Sequence, residues 1–164
     1  METRNIEFEN VWRKGVGELR KEIITIWKQY NPGLEEEKAN ERIGQLVFLI
    51  KNNMGQVVGI STAYKAYIKQ LKNYFYAIRL TILPRYRGPG MASALIVKTR
   101  DFLEAIHKQD GPERIIGMIT LVENEEFKVA RREAIWKASQ MVYIGNSSKG
   151  HHIRVYYFKG ATVI

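Results

Sequence analysis

The stretch from Asn73 to Ile106 constrains this chain more than any other. From Asn73 to Leu83, the residues Tyr74, Tyr76, Ile78, Leu80 and Ile82 share one face of a strand, and Phe75, Ala77, Arg79, Thr81 and Leu83 share the other. Ala92, Leu95, Ile96, Thr99, Phe102, Leu103 and Ile106 then recur at helical spacing. Between them lies Arg85-Tyr86-Arg87-Gly88-Pro89-Gly90. A strong strand therefore passes through a short, basic, glycine-containing loop into a strong helix.

The rest of the chain falls into order around that unit. Asn5 to Phe8 reads as a first strand, Val16 to Tyr30 as a helix stopped by Asn31-Pro32-Gly33, and Leu34 to Arg42 as a second, acidic helix. Gln45 to Lys51 and Gln56 to Ala66 are strands joined at Asn52-Asn53-Met54-Gly55, which has turn chemistry. After the third helix, closed at Asp110-Gly111-Pro112, come a strand at Arg114 to Val122 and a helix at Glu125 to Ala138. Strands at Met141 to Ile144 and Ile153 to Phe158 complete the chain. The order β-α-α-β-β-β-α-β-α-β-β predicts one α/β domain over residues 1–164, a single mixed central sheet flanked by helices.

Composition narrows the chemistry. There is no cysteine, which excludes disulfides, thiolate metal sites and a cysteine nucleophile together. The three histidines, His107, His151 and His152, are too few and badly spaced for zinc, so no metal is expected. No apolar run approaches the roughly 18 residues of a membrane span, and no signal-peptide core follows the charged N-terminus. The expectation is a cytoplasmic protein without membrane attachment. The net charge is +9. No carboxylate stands between Glu41 and Asp101, a segment holding Arg42, Lys51, Lys65, Lys69, Lys72, Arg79, Arg85, Arg87, Lys98 and Arg100. Such a segment suits an anionic ligand, a polyanion, or a solvated face.

The loop itself suits phosphates. Glycines let backbone amides approach an anion, the helix start adds unpaired N–H groups and a positive dipole end, and Arg85 and Arg87 add charge. A Walker loop would need Gly-Lys-Ser/Thr, whereas Gly90 is followed by Met91-Ala92. A dinucleotide fingerprint is matched only in part by Gly88, Gly90 and Ser93, and three strands joined by short turns precede the loop instead of opening a parallel βαβ unit.

Arg85-Tyr86-Arg87-Gly88-Pro89-Gly90 resembles the Gln/Arg-x-x-Gly-x-Gly/Ala loop of the GNAT (GCN5-related N-acetyltransferase) family. Pro84, Ala92-Ser93-Ala94-Leu95 and Gly55-Gln56-Val57-Val58-Gly59 are similar to that family too, as is the element order along nearly the whole chain. The resemblance implies acetyl-CoA or another acyl-CoA as co-substrate. Its pyrophosphate would lie on Arg85, Tyr86, Arg87, Gly88, Gly90 and the helix start at Met91 and Ala92, with Lys98 or Arg100 assisting. Its pantetheine arm would run along Leu80, Ile82 and Leu83. Pro89 offers no N–H, which suits the geometry if it is the first helical residue.

Catalytic groups are less regular. The family's glutamate on the strand before the loop has no counterpart here, and Glu123, at the end of the fifth strand, is the candidate base or a surface glutamate. The family's tyrosine acid, near the end of the fourth helix, corresponds to Trp136, which lies off the apolar stripe Phe127, Ala130, Ala134, Ala138 and so would face the cofactor. Tyr143 is the alternative donor, or a core tyrosine. Asn124 resembles the family's asparagine at the fifth-strand exit. By the same resemblance His151 and His152 would lie where acceptor-binding loops sit, with a pKa suited to acid–base work, or simply in a surface loop. Arg79 is expected either to touch the substrate or to pair structurally.

Three functions follow. The first is an N-acetyltransferase acting on an amine by direct transfer in a ternary complex, since no cysteine can carry the acyl group. The second is an acyltransferase of the same fold acting on nucleic acid, helped by Lys65, Lys69 and Lys72 among Tyr64, Tyr67 and Tyr74. The third is a CoA-binding sensor without catalysis. The protein would work as a monomer or homodimer.

Overall fold

The computed structural model describes residues 5–107 and 114–163, so the predicted helix stop at Asp110-Gly111-Pro112 lies outside the described residues. Along the chain run β1 (Ile6–Asn10), α1 (Leu19–Tyr30), α2 (Glu36–Ile43), β2 (Leu46–Asn52), β3 (Val57–Ile68) and β4 (Asn73–Ile82). A one-turn 3-10 helix (Pro84–Tyr86) leads to α3 (Met91–Ile106), and then β5 (Ile115–Val122), α4 (Glu125–Ala130), β6 (Val142–Asn146) and β7 (His152–Tyr157). The strands form one seven-stranded sheet in the order β1-β2-β3-β4-β5-β7-β6. It is mixed: β4 and β5 pair in parallel, while β1–β2, β2–β3, β5–β7 and β6–β7 are antiparallel.

By compactness the chain divides into two units, Met1–Ala63 with Leu80–Leu95 and Tyr64–Arg79 with Ile96–Ile164. In the first, α1 buries Ile23, Ile24, Ile26 and Trp27 in a cluster with Leu34, Ala39, Leu49, Val57 and Ile60. Each fully buried isoleucine or leucine contributes about 1.5–3 kcal/mol of transfer free energy. Helix α1 starts at Leu19, three residues later than its apolar spacing suggests, because Gly17 has φ +51° and breaks the helical path. Val16 still packs against the cluster. The alternate residues of β2 and β3, Ile50 and Val58, enter a second cluster with Ile82 and Leu95. That cluster supports the β4–α3 loop.

In the second unit Phe75, Ile116, Ile119 and Val155 form the core. Strand β5 pairs with β7 from Gly117↔Tyr157 to Val122↔His152. Gly117 is required for this approach, since a Cβ there would collide with the Tyr156 carbonyl oxygen. On α3, Glu104 accepts hydrogen bonds from the Tyr156 hydroxyl and the Lys159 amide, both at 2.9 Å.

The fourth helix departs from expectation. The spacing of Phe127, Ala130, Ala134 and Ala138 predicts a helix to Ala138, yet α4 ends at Ala130. Beyond it, carbonyls that a helix would use are taken by distant partners. The Arg131 carbonyl accepts from Arg154 Nη2 at 3.0 Å and Trp136 Nε1 at 3.1 Å, and the Ala134 carbonyl accepts from the Tyr143 amide at 2.8 Å. Ile135 forms a β-bridge with Val142. Tertiary bonds override a local helical pattern here. Trp136 is consequently buried rather than facing a cofactor, edge-on to Phe127 and 4.1 Å beneath the Arg154 guanidinium.

Candidate active site

The β4–α3 loop is bonded mainly to itself. The Tyr86 amide donates to the Leu83 carbonyl (2.8 Å), Arg87 to Pro84 (3.2 Å), Gly88 to Tyr86 (2.9 Å) and Met91 to Gly88 (3.3 Å). The first helical bond of α3 runs from Ala94 N–H to the Gly90 carbonyl at 2.8 Å. The first turn of α3 therefore sets the positive end of the helix at Gly90 to Ala92. Gly90 has φ +82°, a conformation that costs a side-chain-bearing residue about 1–2 kcal/mol. Pro89 lies two residues before Met91, in the turn, and is not the first helical residue.

Two side chains anchor this loop. Tyr86 packs its ring against the cluster of Ile50, Val58, Ile82 and Leu95, and its hydroxyl accepts from Asn52 Nδ2 at 3.2 Å. Arg87 donates from Nε to the Ile82 carbonyl at 2.8 Å and rests its guanidinium 5.6 Å from the Tyr30 ring centroid. Arg85, Gly88 and Gly90 are exposed, and Met91 and Ala92 are half-buried. Leu80 and Leu83 pack on the same cluster as Ile82, and the Leu83 amide donates to the Val58 carbonyl. Arg100 serves the second unit: Nη1 donates to the Ser139 carbonyl at 2.8 Å and Nη2 to Asp101 at 2.8 Å.

Within the second unit, one end of the sheet gathers five of the residues singled out in the sequence. Val122 is opposite His152 on β7, and His152 is opposite Asn146 on β6. This register brings Glu123, Asn124, Tyr143, His151 and His152 to the same end. Tyr143 is exposed, not a core tyrosine; its hydroxyl donates to Asn146 Oδ1 at 2.9 Å and its ring stands edge-on to His152 at 5.1 Å. Asn124 caps α4, its Oδ1 accepting from the Phe127 amide at 2.8 Å. Glu123 is exposed.

The electrostatics of this end favour a neutral imidazole. Burial lowers the His152 pKa, and the positive charges of Lys128, Arg154 and Arg132 lower it further, against a weaker pull from Glu125. Lys128 donates to Glu125 Oε1 at 2.8 Å and to the Gly150 carbonyl at 3.3 Å, and the ammonium holds the Glu125 carboxyl below its usual range. The Nδ1 atoms of His151 and His152 are buried and have no hydrogen-bond partner within the protein. The His151 amide donates to Ser147 Oγ at 3.1 Å.

Arg79 does not join this group. It is exposed on β4, with its guanidinium 4.6 Å over the Tyr64 ring. Lys128 and Asn146 do join it, and sequence reading missed both. The Glu125–Lys128 spacing on one helix face was the signal for the lysine; nothing local marks Asn146.

No protein-family model matches the sequence, and no curated protein matches it. Solved structures do. A phosphinothricin acetyltransferase of the GNAT superfamily from Sinorhizobium meliloti, in complex with acetyl-CoA, superposes with a TM-score of 0.70 over 96% of this chain and 90% of its own, at 14% identity. A GNAT-family acetyltransferase from Streptococcus pneumoniae gives 0.63 over 94% and 99%, at 12% identity. One from Brucella melitensis, in complex with acetyl-CoA, gives 0.57 over 97% and 92%, at 14% identity.

The fold is that of the GNAT acetyltransferases.

No carboxylate occurs anywhere on β4, and Trp136, which the family resemblance set against the tyrosine acid, is buried outside any helix.

Proposed function

We propose that the protein is an acyl-CoA-dependent N-acyltransferase that passes acetyl from acetyl-CoA to an amine by direct transfer in a ternary complex. The observation that carries this reading is Gly88. Its φ lies outside the left-handed region, and a Cβ placed there meets no atom within 4 Å. Nothing in the protein itself calls for glycine at this position. A phosphate lying on the loop does, because a missing side chain lets backbone amides reach it.

On this reading the amides of Gly90 and Ala92 at the start of α3 receive the pyrophosphate, joined by that of Met91 once it gives up its 3.3 Å bond to the Gly88 carbonyl, and Arg85 adds charge. Tyr86 and Arg87 hold the loop in shape. The strand segment Leu80 to Leu83 runs beside the pantetheine arm. The acceptor nitrogen attacks the acetyl carbonyl carbon, the carbon–sulfur bond breaks, and the sulfur leaves as CoA thiol. An ammonium acceptor must first lose a proton, and the thiolate must gain one. His152, held neutral, is suited to the first task, with Glu123 the alternative; the Tyr143 hydroxyl is suited to the second. Asn124, a helix cap, orients the segment after β5, and His151 lies on the acceptor side. Arg79 has no assigned part.

Release of CoA thiol from acetyl-CoA with a panel of polyamines, aminoglycosides, amino acids and peptides tests this proposal. Amine-dependent release with an N-acetylated product is the expected result. Acetyl-CoA binding without release for any amine would replace it with the sensor.

A further inference from the structure

The hairpin of β3 and β4 carries a surface that acyl transfer does not use. Between Tyr64 and Arg79, Lys65, Lys69, Lys72 and Arg79 are exposed and stand without one carboxylate, interleaved with Tyr64, Tyr67, Tyr74 and Tyr76. Strand alternation places Lys65 and Tyr67 on one face of β3, and Lys69 opens the turn just beyond it; all three are exposed. Tyr74 of β4 shares that face: its ring lies 5.1 Å from that of Tyr67, and the Lys65 ammonium sits 4.8 Å over it. Tyr67 is 53% exposed, although a tyrosine at a hairpin tip has no packing reason to be shown to water. The turn adds Lys72, exposed at φ +51°.

A face that served only solubility would need charge and no aromatic ring. This one has a half-exposed ring, braced from behind by a second ring and flanked by ammonium groups. We propose that it binds single-stranded nucleic acid, an unpaired base stacking on Tyr67 while Lys65, Lys69 and Lys72 meet the flanking phosphates. Stacking on an aromatic ring between cations is how non-specific single-strand sites hold their ligands. A duplex keeps its bases stacked on one another and offers none to Tyr67. This reading is independent of the acyl-CoA site and is tested in the absence of CoA.

The test is fluorescence anisotropy of the whole protein with labelled oligothymidylate and oligouridylate of about 20 nucleotides, longer than a typical single-strand site. Binding is expected to weaken with salt at a slope near −2 on logarithmic axes, about 0.7 for each of three phosphates. Tyr67→Ala should weaken binding about tenfold and leave the slope unchanged, since it removes a stack and no charge. Lys65→Ala with Lys69→Ala should flatten the slope to about −0.7. Both variants should retain acetyl-CoA binding and the wild-type circular dichroism spectrum, as the side chains are exposed. Preference between the two oligonucleotides separates DNA from RNA as the ligand. Three results would overturn the proposal: no binding at low salt, a silent Tyr67→Ala, or a duplex or heparin held as tightly as the single strand.

Discussion

The loop after β4 and the sheet end around His152 are built on opposite plans. On the proposed reading the loop works through backbone amides, and its side chains Tyr86 and Arg87 are turned to its own support. The sheet end presents side chains, and its backbone is consumed by the β5–β7 and β6–β7 ladders. A backbone site tolerates changes of side chain but not of conformation or bulk. A side-chain site behaves the other way round. The two regions should therefore fail differently when mutated.

Tyr143→Phe tests the sheet end most severely. It keeps the ring on His152 and removes only the hydroxyl, so amine-dependent thiol release should fall about 10²-fold, as for loss of a general acid. Acetyl-CoA affinity, read by calorimetry, should not change. A parallel fall in affinity would erase the distinction between the regions.

Arg154→Met is next. Arg154 is 1% exposed, and its guanidinium donates to the Arg131 and Ala134 carbonyls. Losing these charged hydrogen bonds and the contact over Trp136 should appear in denaturant unfolding as a loss of about 1–3 kcal/mol. A neutral result would mean that the 131–141 segment holds its path by Trp136 packing alone.

Gly90→Ala probes the loop by conformation. At φ +82° a methyl group costs about 1 kcal/mol, which should appear in acetyl-CoA affinity or stability, with the rate at saturating acetyl-CoA nearly unchanged. A collapse of that rate would mean that the loop does more than bind.

The smallest effect expected is in pH dependence. Because the His152 pKa is lowered, its imidazole stays neutral as pH falls through the ordinary value of 6.5, and activity that needs a neutral base should persist below it. The unfolded chain takes up that proton first, so stability declines as pH drops from about 6.5 towards the folded-state value. Lys128→Ala removes one of the lowering charges and should move the inflection up towards 6.5. Titration of the imidazole by NMR checks the direction; a downward move would contradict the assignment of cause.

How far each region could be read from sequence follows from the same contrast. Backbone sites leave their mark in residue type, so Gly88 and Gly90 between a two-faced strand and a periodic helix disclosed the loop directly. Strands fell within a few residues of their predicted limits because alternation is local. The sheet end was harder. Glu123, Asn124, Tyr143, His151 and His152 were each visible as chemistry, but their meeting depends on the Val122↔His152 register, which no local pattern encodes. Lys128 and Asn146 were missed, and of the two parts open to Arg79, substrate contact or structural pairing, its position over Tyr64 gives an instance of the second. The false helix from Arg131 to Ala138 has the same origin: its apolar spacing is real, but Arg154, some 20 residues on, takes its carbonyls.

The central claim, that the loop after β4 holds an acyl-CoA, is tested most directly by calorimetric titration of acetyl-CoA into the wild type and Gly88→Glu. Open space around Gly88 and its ordinary φ let the glutamate fold in without strain, while its charge would stand against the pyrophosphate. One acetyl-CoA should bind per wild-type chain, with binding lost in a variant whose unfolding midpoint is unchanged. Equal affinity in the two proteins would contradict that claim.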